Sequence, residues 1–243
     1  MPEDAEDIAR LVEASSVIVR ATVSQRGASI EPTVPASPRL VVVHVDSVFR
    51  AGPTLGGLVG RNVTIELNNG HGLNVGHQAI FFTNGLVYGA QIVLREVGHR
   101  DVGVKNEREV AAAVEALPDK HLKARLETAD IVIVGTVERV RQSGIKEPIS
   151  FHSPRWMYAD VKVANPLKGG RKGEKIALLF PSGRDVLWAG AHRFAEHEEG
   201  VFLLHRGAAK WGAPPDALTA LDPADFQPSD ALPRIQQLLT HDQ

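Results

Sequence analysis

The stretch Asp130 to Val140, DIVIVGTVERV, has a close echo at Ser16 to Val23, SVIVRATV. In the later stretch Ile131, Val132, Ile133 and Val134 form an uncharged β-branched run that leads into Gly135, Thr136 and Val137. Such a run suits a strand buried on both faces or at a sheet centre. A strand of this kind met twice predicts that the chain holds two copies of one unit.

At 243 residues the chain has room for one large domain or two of ordinary size. The repeat selects two, residues 1–117 and 118–243. In the first copy Ile8, Leu11 and Val12 have helical spacing, and a strand follows at Val17 to Val23. Gln25 to Arg39, with Gly27, Pro32, Pro35 and Pro38, reads as a long exposed loop. Val41, Val43, Val45 and Phe49 alternate on one face of a second strand, and Val63, Ile65 and Leu67 on one face of a third. Asn68, Asn69 and Gly70 turn the chain into a fourth strand at Ala79 to Thr83, and a fifth is predicted at Tyr88 to Val97. Asn106 and Glu109 form a capping box for a closing helix that Pro118 is expected to end.

The second copy lies on the first almost element by element. Leu122 and Leu126 fall on Ile8 and Val12, while Ala159, Val161, Val163 and Leu167 fall on Val41, Val43, Val45 and Phe49. Ile176, Leu178 and Phe180 fall on Val63, Ile65 and Leu67, and Val201 to Leu203 on Ile80 to Phe82. Trp211-Gly212-Ala213 echoes Tyr88-Gly89-Ala90, and Pro214 and Pro215 interrupt the expected fifth strand, making it short or an edge. Between its third and fourth strands this copy has an insertion, Arg184 to His197. The predicted fold is mainly β with short flanking helices: two tandem five-stranded barrels from an internal duplication.

A hydrophobic share of 43% is ample for two cores, and abundant Gly and Pro with few aromatics fit many short strands joined by turns. The net charge of −2 supplies no global field for nucleic acid or an anionic membrane. Absence of cysteine removes disulfides, thiolate nucleophiles and cysteine-held zinc. The acidic, amphipathic start MPEDAEDIARLVEASS lacks the order of a signal peptide, and no apolar run approaches a membrane span. The expected compartment is the cytoplasm, or outside it if an export leader has been removed ahead of Met1.

A helix, five strands with a long first connection and a closing helix describe the oligonucleotide/oligosaccharide-binding (OB) barrel. ADIVIVGTVERV, then VKVANPLKGGRKGEKIALLFPSG, then EEGVFLLH resemble the netrin-module or TIMP-like branch of OB folds found in many uncharacterised bacterial proteins. The resemblance covers most of the second copy and, more weakly, the first. It implies a scaffold that presents loops to another protein. Metalloprotease inhibition through an N-terminal cysteine, known in animal members of that branch, transfers to no residue of this cysteine-free chain.

Three chemistries compete with that reading. His192, His197 and His205, with Glu196, Glu198 and Glu199 among them, are the densest metal-ligand candidates, although the step from His192 to His197 does not align two ligands on a helix and no H-E-x-x-H occurs. Ser182 with Asp185 is the one nucleophile candidate, without a G-x-S-x-G, P-loop or dinucleotide fingerprint, so no enzyme and no cofactor is expected. Single-stranded nucleic acid is the main rival partner, through Arg155, Trp156, Lys168, Arg171 and Lys172 of the second copy. The preferred reading is a non-enzymatic scaffold or inhibitor-like module that binds another protein through the unequal loops Gln25 to Arg39, Ser143 to Trp156 and Arg184 to His197. Its contact residues are Ile30, Phe151, Trp156, Trp188 and Phe194, and a second copy of the chain is also admitted as a partner.

Overall fold

The computed structural model describes residues 2–52, 55, 57–68, 73–88, 91–145, 155–183, 188, 190–207 and 212–240, with side chains for all but 2–6, 86–88 and 91–92. The chain divides into two compact units, Met1–Leu117 and Pro118–Gln243. In the first, α1 (Pro2–Glu13) precedes β1 (Val17–Arg26), β2 (Leu40–Arg50), β3 (Asn62–Glu66), β4 (Gln78–Tyr88) and β5 (Gln91–Asp101). These strands close into a barrel in the order β1-β2-β3-β5-β4, with β3 and β5 parallel and the other pairs antiparallel.

Strand alternation explains the uncharged runs. Val17, Val19, Ala21 and Val23 face the interior with Val41, Val43, Val45, Val63, Ile65, Phe81 and Leu94. Ile18, Ile80 and Phe82 point outward, under Ile8, Leu11 and Val12 of α1 and under Val110, Val114 and Leu117 of α2 (Val104–Thr128). With both faces covered, the start of β1, Val17 to Val19, is fully buried and apolar, and polar side chains enter only further along the strand.

The second unit takes Leu122 and Leu126 from α2 and continues with β6 (Ile131–Gln142), β7 (Arg155–Lys168), β8 (Lys175–Ser182), β9 (Glu199–Leu204), β10 (Leu218–Thr219), β11 (Phe226–Pro228) and α3 (Leu232–Thr240). Its pairing repeats that of the first unit residue for residue: Ile18 to Arg26 map onto Val132 to Val140, and Val41 to Arg50 onto Ala159 to Lys168. The register shifts of the first hairpin, at Ile18/Val19, Arg20/Ala21 and Val23/Gln25, recur at Val132/Ile133, Val134/Gly135 and Val137/Arg139. Gln78 to Thr83 likewise map onto Glu199 to Leu204. Bulges are positional features rather than generic ones, so their recurrence says more than shared alternation does.

The helix ends are secured alike as well. Arg50 donates to the carbonyls of Val12 and Ser15 after α1, and Lys168 at the matching place donates to Leu126 and Glu127 at the end of α2. A cation on the last carbonyls satisfies orphan acceptors and favours the helix dipole.

Four expectations are corrected. The second unit is a six-stranded half-barrel of order β10-β8-β7-β6-β9-β11 rather than a closed five-stranded barrel. Its fifth strand is split: β10 pairs parallel with β8 and meets His205 through a bridge at Thr219, and β11 then pairs with β9. The split falls where β5 already bulges, between Glu96 and Gly98, and Leu221 to Asp225 stand where the first unit has only Val97 and Gly98. Leu94 corresponds to Leu218, and the predicted equivalence of Tyr88 to Ala90 with Trp211 to Ala213 falls on Gly89, Ala90 and Trp211, which lie outside the described residues.

Phe49 and Leu167 were expected to face inward, yet both pack on the outer face beneath the helices, while Val48 turns in. The bulges between Val45 and Ser47 and between Val163 and Asn165 reverse the alternation beyond them. Finally, Pro118 does not end the helix but lies inside α2. Its missing hydrogen bond costs about 3 kcal/mol, outweighed by apolar anchors before it at Val110 and Val114 and after it at Leu122 and Leu126.

Gly76 (φ 86°) and His197 (φ 70°) occupy the same left-handed place, each with its N–H on the carbonyl of Val23 or Val137. A side chain there is strained, and His197 is the one non-glycine residue with positive φ among the described residues. Changing His197→Gly is expected to stabilise the second unit by roughly 0.5–1 kcal/mol in urea unfolding, after glycine's own entropic cost is subtracted.

Candidate functional site

Of the residues expected to contact a protein, Ile30 alone displays its side chain among those described. Its N–H is fixed on Thr64 Oγ1 at 3.0 Å while the side chain is 42% exposed. Ser29 meets the same hydroxyl at 3.3 Å, and Thr64 itself is fully buried, paired in the sheet with Val42 and Val93. Trp156, Trp188 and Phe194 are buried instead. Trp156 packs with Leu179 and Ala213 on the outer face of β7 and β8, and Trp188 lies 6.2 Å from it, centroid to centroid. Phe194 reaches into the half-barrel against Phe180, Phe202 and Phe226. All three rings are buried among apolar neighbours, so they serve packing rather than an open surface. Phe151 lies outside the described residues.

The basic candidates are divided in the same way. Arg155, Arg171 and Lys172 are exposed, whereas Lys168 is engaged in closing α2. Arg141 forms a forked contact with Asp160 at 3.0–3.3 Å and stacks over the Tyr158 ring at 4.5 Å, which takes the neighbouring aromatic face out of use. Lys175 pairs with Glu138 at 2.6 Å, and Lys162 lies 3.9 Å from the same carboxylate.

The His/Glu-rich segment proves to be bracing. Glu198 holds His192 Nε2 at 2.6 Å through one oxygen and the Ala195 N–H at 3.0 Å through the other. Glu196 accepts the Val140 N–H, and Glu199 accepts the Thr136 hydroxyl. His197 is exposed in its turn, and among the described residues no three His, Asp or Glu side chains converge as a metal site would require. Ser182 pairs in β8 with Arg155, and Asp185 lies outside the described residues.

His205 belongs to a different arrangement, centred on a residue that the sequence does not single out. Asp225, fully buried in the turn that splits strand five, receives Arg125 at 2.7 and 2.8 Å and the N–H groups of Leu221 and Asp222 at 2.9 Å. His205 Nε2 meets it at 3.2 Å without the angle of a hydrogen bond, and His121 meets the neighbouring Asp222 at 3.3 Å. Burial alone would raise the Asp225 carboxyl, but His205, Arg125 and the Asp222 N–H outweigh it and hold it below the usual carboxylate range. With both oxygens saturated, this carboxylate is suited to locking the turn rather than to accepting a proton from a substrate.

The large apolar side chains left on the surface of the described residues are Ile30, Val59, Val75 and Val104. The first three sit in the connections after β1, β2 and β3 of the first unit. Sequence reading missed Val59 and Val75, although an isolated valine in the turn Asn74-Val75-Gly76 has no inward strand position to fill. No helix among the described residues is long and apolar enough to cross a membrane. No protein-family model matches the chain, and no curated protein is similar to it.

Proposed function

We propose that the chain is a non-enzymatic protein-binding or scaffold module, built by duplication of an OB-like unit of netrin type, that engages its partner through connections of the first unit. The observation that carries this reading is the display of Ile30, Val59 and Val75 on loops whose backbones are anchored to the barrel. Apolar side chains on fixed loops offer contact area at little ordering cost. The β1-β2-β3-β5-β4 order and the repeated bulges support the OB-like duplication. The inhibitor-like variant of the proposal differs only in what the partner does.

A pull-down from the source organism's lysate tests this with wild type beside Ile30→Asp/Val75→Asp. The double variant is expected to unfold at the wild-type denaturant midpoint and to lose the captured protein. Equal capture by both would sink the loop assignment.

A second reading, single-stranded nucleic acid on the second unit, is favoured by the exposure of Arg155, Arg171 and Lys172. It lacks the support of Trp156 and Lys168, which are buried and engaged respectively. It requires oligonucleotide binding that weakens steeply with salt and on removal of these three cations. For the preferred reading, no such binding is expected at 150 mM salt, about physiological ionic strength.

A further inference from the structure

The mouth of the first barrel beside the β3–β4 connection carries an ionisable pair that none of the roles above uses. Leu67 and Leu73, from the two ends of that connection, are buried in the barrel core. Beside them Glu96, 5% exposed, divides its carboxylate between two partners. Its Oε2 accepts the Asn68 N–H at 2.8 Å, and its Oε1 meets His99 Nδ1 at 2.5 Å. Asn68 also donates through Nδ2 to the Val97 carbonyl at 3.2 Å, so the residue leaving β3 is tied to β5 twice. In the second unit a Glu/His pair is used differently, Glu198 dividing its oxygens between His192 and the Ala195 N–H within one connection.

We propose that Glu96 and His99 form a pH-set latch on the chain where it leaves β3, with protonated His99 holding Glu96 charged against the Asn68 N–H. The ionisable groups facing His99 are Glu96 and, more distantly, Asp101, both on β5. From β4 it is faced by the Phe81 ring, 6.1 Å between centroids. Arg100, next in sequence, is turned to Asp7 of α1, and His77, which precedes β4, is paired with Asp101 at 3.1 Å. The charges that act on the His99 ring are thus those of acids, while the Arg100 guanidinium donates to the His99 backbone carbonyl at 2.7 Å.

The hydrogen bond to Glu96, and secondarily the charges of Glu96 and Asp101, raise His99 above the usual histidine range against the opposing effect of burial. A group raised in the folded state stabilises it fully below its unfolded value, and that contribution fades as pH rises through the folded value. The latch is therefore tightest in mild acid and loosens on the alkaline side of ordinary histidine titration. A neutral His99 can still donate one hydrogen, but a bond between two ions is replaced by a weaker one.

The test is an NMR titration of the full chain from pH 5 to 9, following the His99 ring and the Asn68 amide. A single shared midpoint above that of a free histidine is expected, with Asn68 amide exchange, corrected for its intrinsic rate, several-fold faster at the alkaline end. In His99→Gln the Asn68 signal should lose its transition while the Val43 and Val63 amides, in the same barrel, behave as they do in the wild type. If that variant does not fold, Glu96→Gln gives the same readout from the other side. An Asn68 amide that does not move through the His99 transition, or moves identically in the variant, would overturn the latch.

Discussion

Replacing Asp225 with Ala lowers the stability of the second unit by about 3–5 kcal/mol, the cost of leaving a buried pair with one partner. The carboxylate has no solvent exposure and joins Arg125 of α2 to the turn before β11 through a two-pronged contact, while also holding the Leu221 and Asp222 N–H groups. Removing it strands the Arg125 guanidinium, 26% exposed, and two backbone donors together. All three tryptophans, Trp156, Trp188 and Trp211, belong to the second unit, so urea unfolding followed by their fluorescence reads that unit. Arg125→Ala in the same background is expected to cost much less than it does alone, because the charge it removes is already unpaired. The pH dependence follows from the lowered Asp225 carboxyl: its contribution is complete above the ordinary aspartate range and is lost as pH falls through the depressed folded value. An Asp225→Ala midpoint equal to wild type at neutral pH would show that the turn is held by its other contacts.

Phe194→Ala is expected to cost about 3–5 kcal/mol as well, the usual range for emptying a buried aromatic site. The ring is 5% exposed and touches Phe180 at 5.3 Å, Phe226 at 5.4 Å and Phe202 at 5.5 Å between centroids, with His192 at 4.8 Å. In the first unit the corresponding connection places the smaller Leu73 in the core, within a barrel that a full fifth strand closes. The larger ring of the second unit thus accompanies the shorter strand. A surface anchor would behave otherwise: Ile30→Ala should shift stability by less than about 0.5 kcal/mol. Comparing the two variants in one urea series separates packing from display, and a Phe194→Ala change as small as that of Ile30→Ala would return Phe194 to the list of contact residues.

Much of the plan was legible because strand period and burial coincide. Val17 to Val23 and Ile131 to Val137 announce doubly buried strands, since their alternate residues serve the barrel interior and the layer beneath the helices. Phe49 and Leu167 were misplaced because a bulge flips every later side chain and no residue type marks one. The split of strand five was hidden for a related reason. Leu218 and Thr219 form too short a strand to show a period, and Pro214 and Pro215 draw attention to the wrong place.

The site was less legible than the fold. Trp156 and Phe194 look like anchors when a loop is assumed solvated, and only the outward-facing Leu179 and the inserted segment's fold give them cores to join. Lys168 reads as a free cation until the carbonyls of Leu126 and Glu127 are brought beneath it. Asp225 gains its meaning from Arg125, distant in sequence, which no local motif links to it.

The most direct test of the proposed protein-binding role is photo-crosslinking in the native lysate from a benzophenone amino acid placed at position 30 or 75, beside the same probe at 155 or 171. Discrete protein adducts from 30 and 75, lost on Ile30→Asp when the probe is at 75, are the expected result. Adducts confined to 155 and 171 and removed by nuclease would contradict it and hand the function to nucleic acid on the second unit.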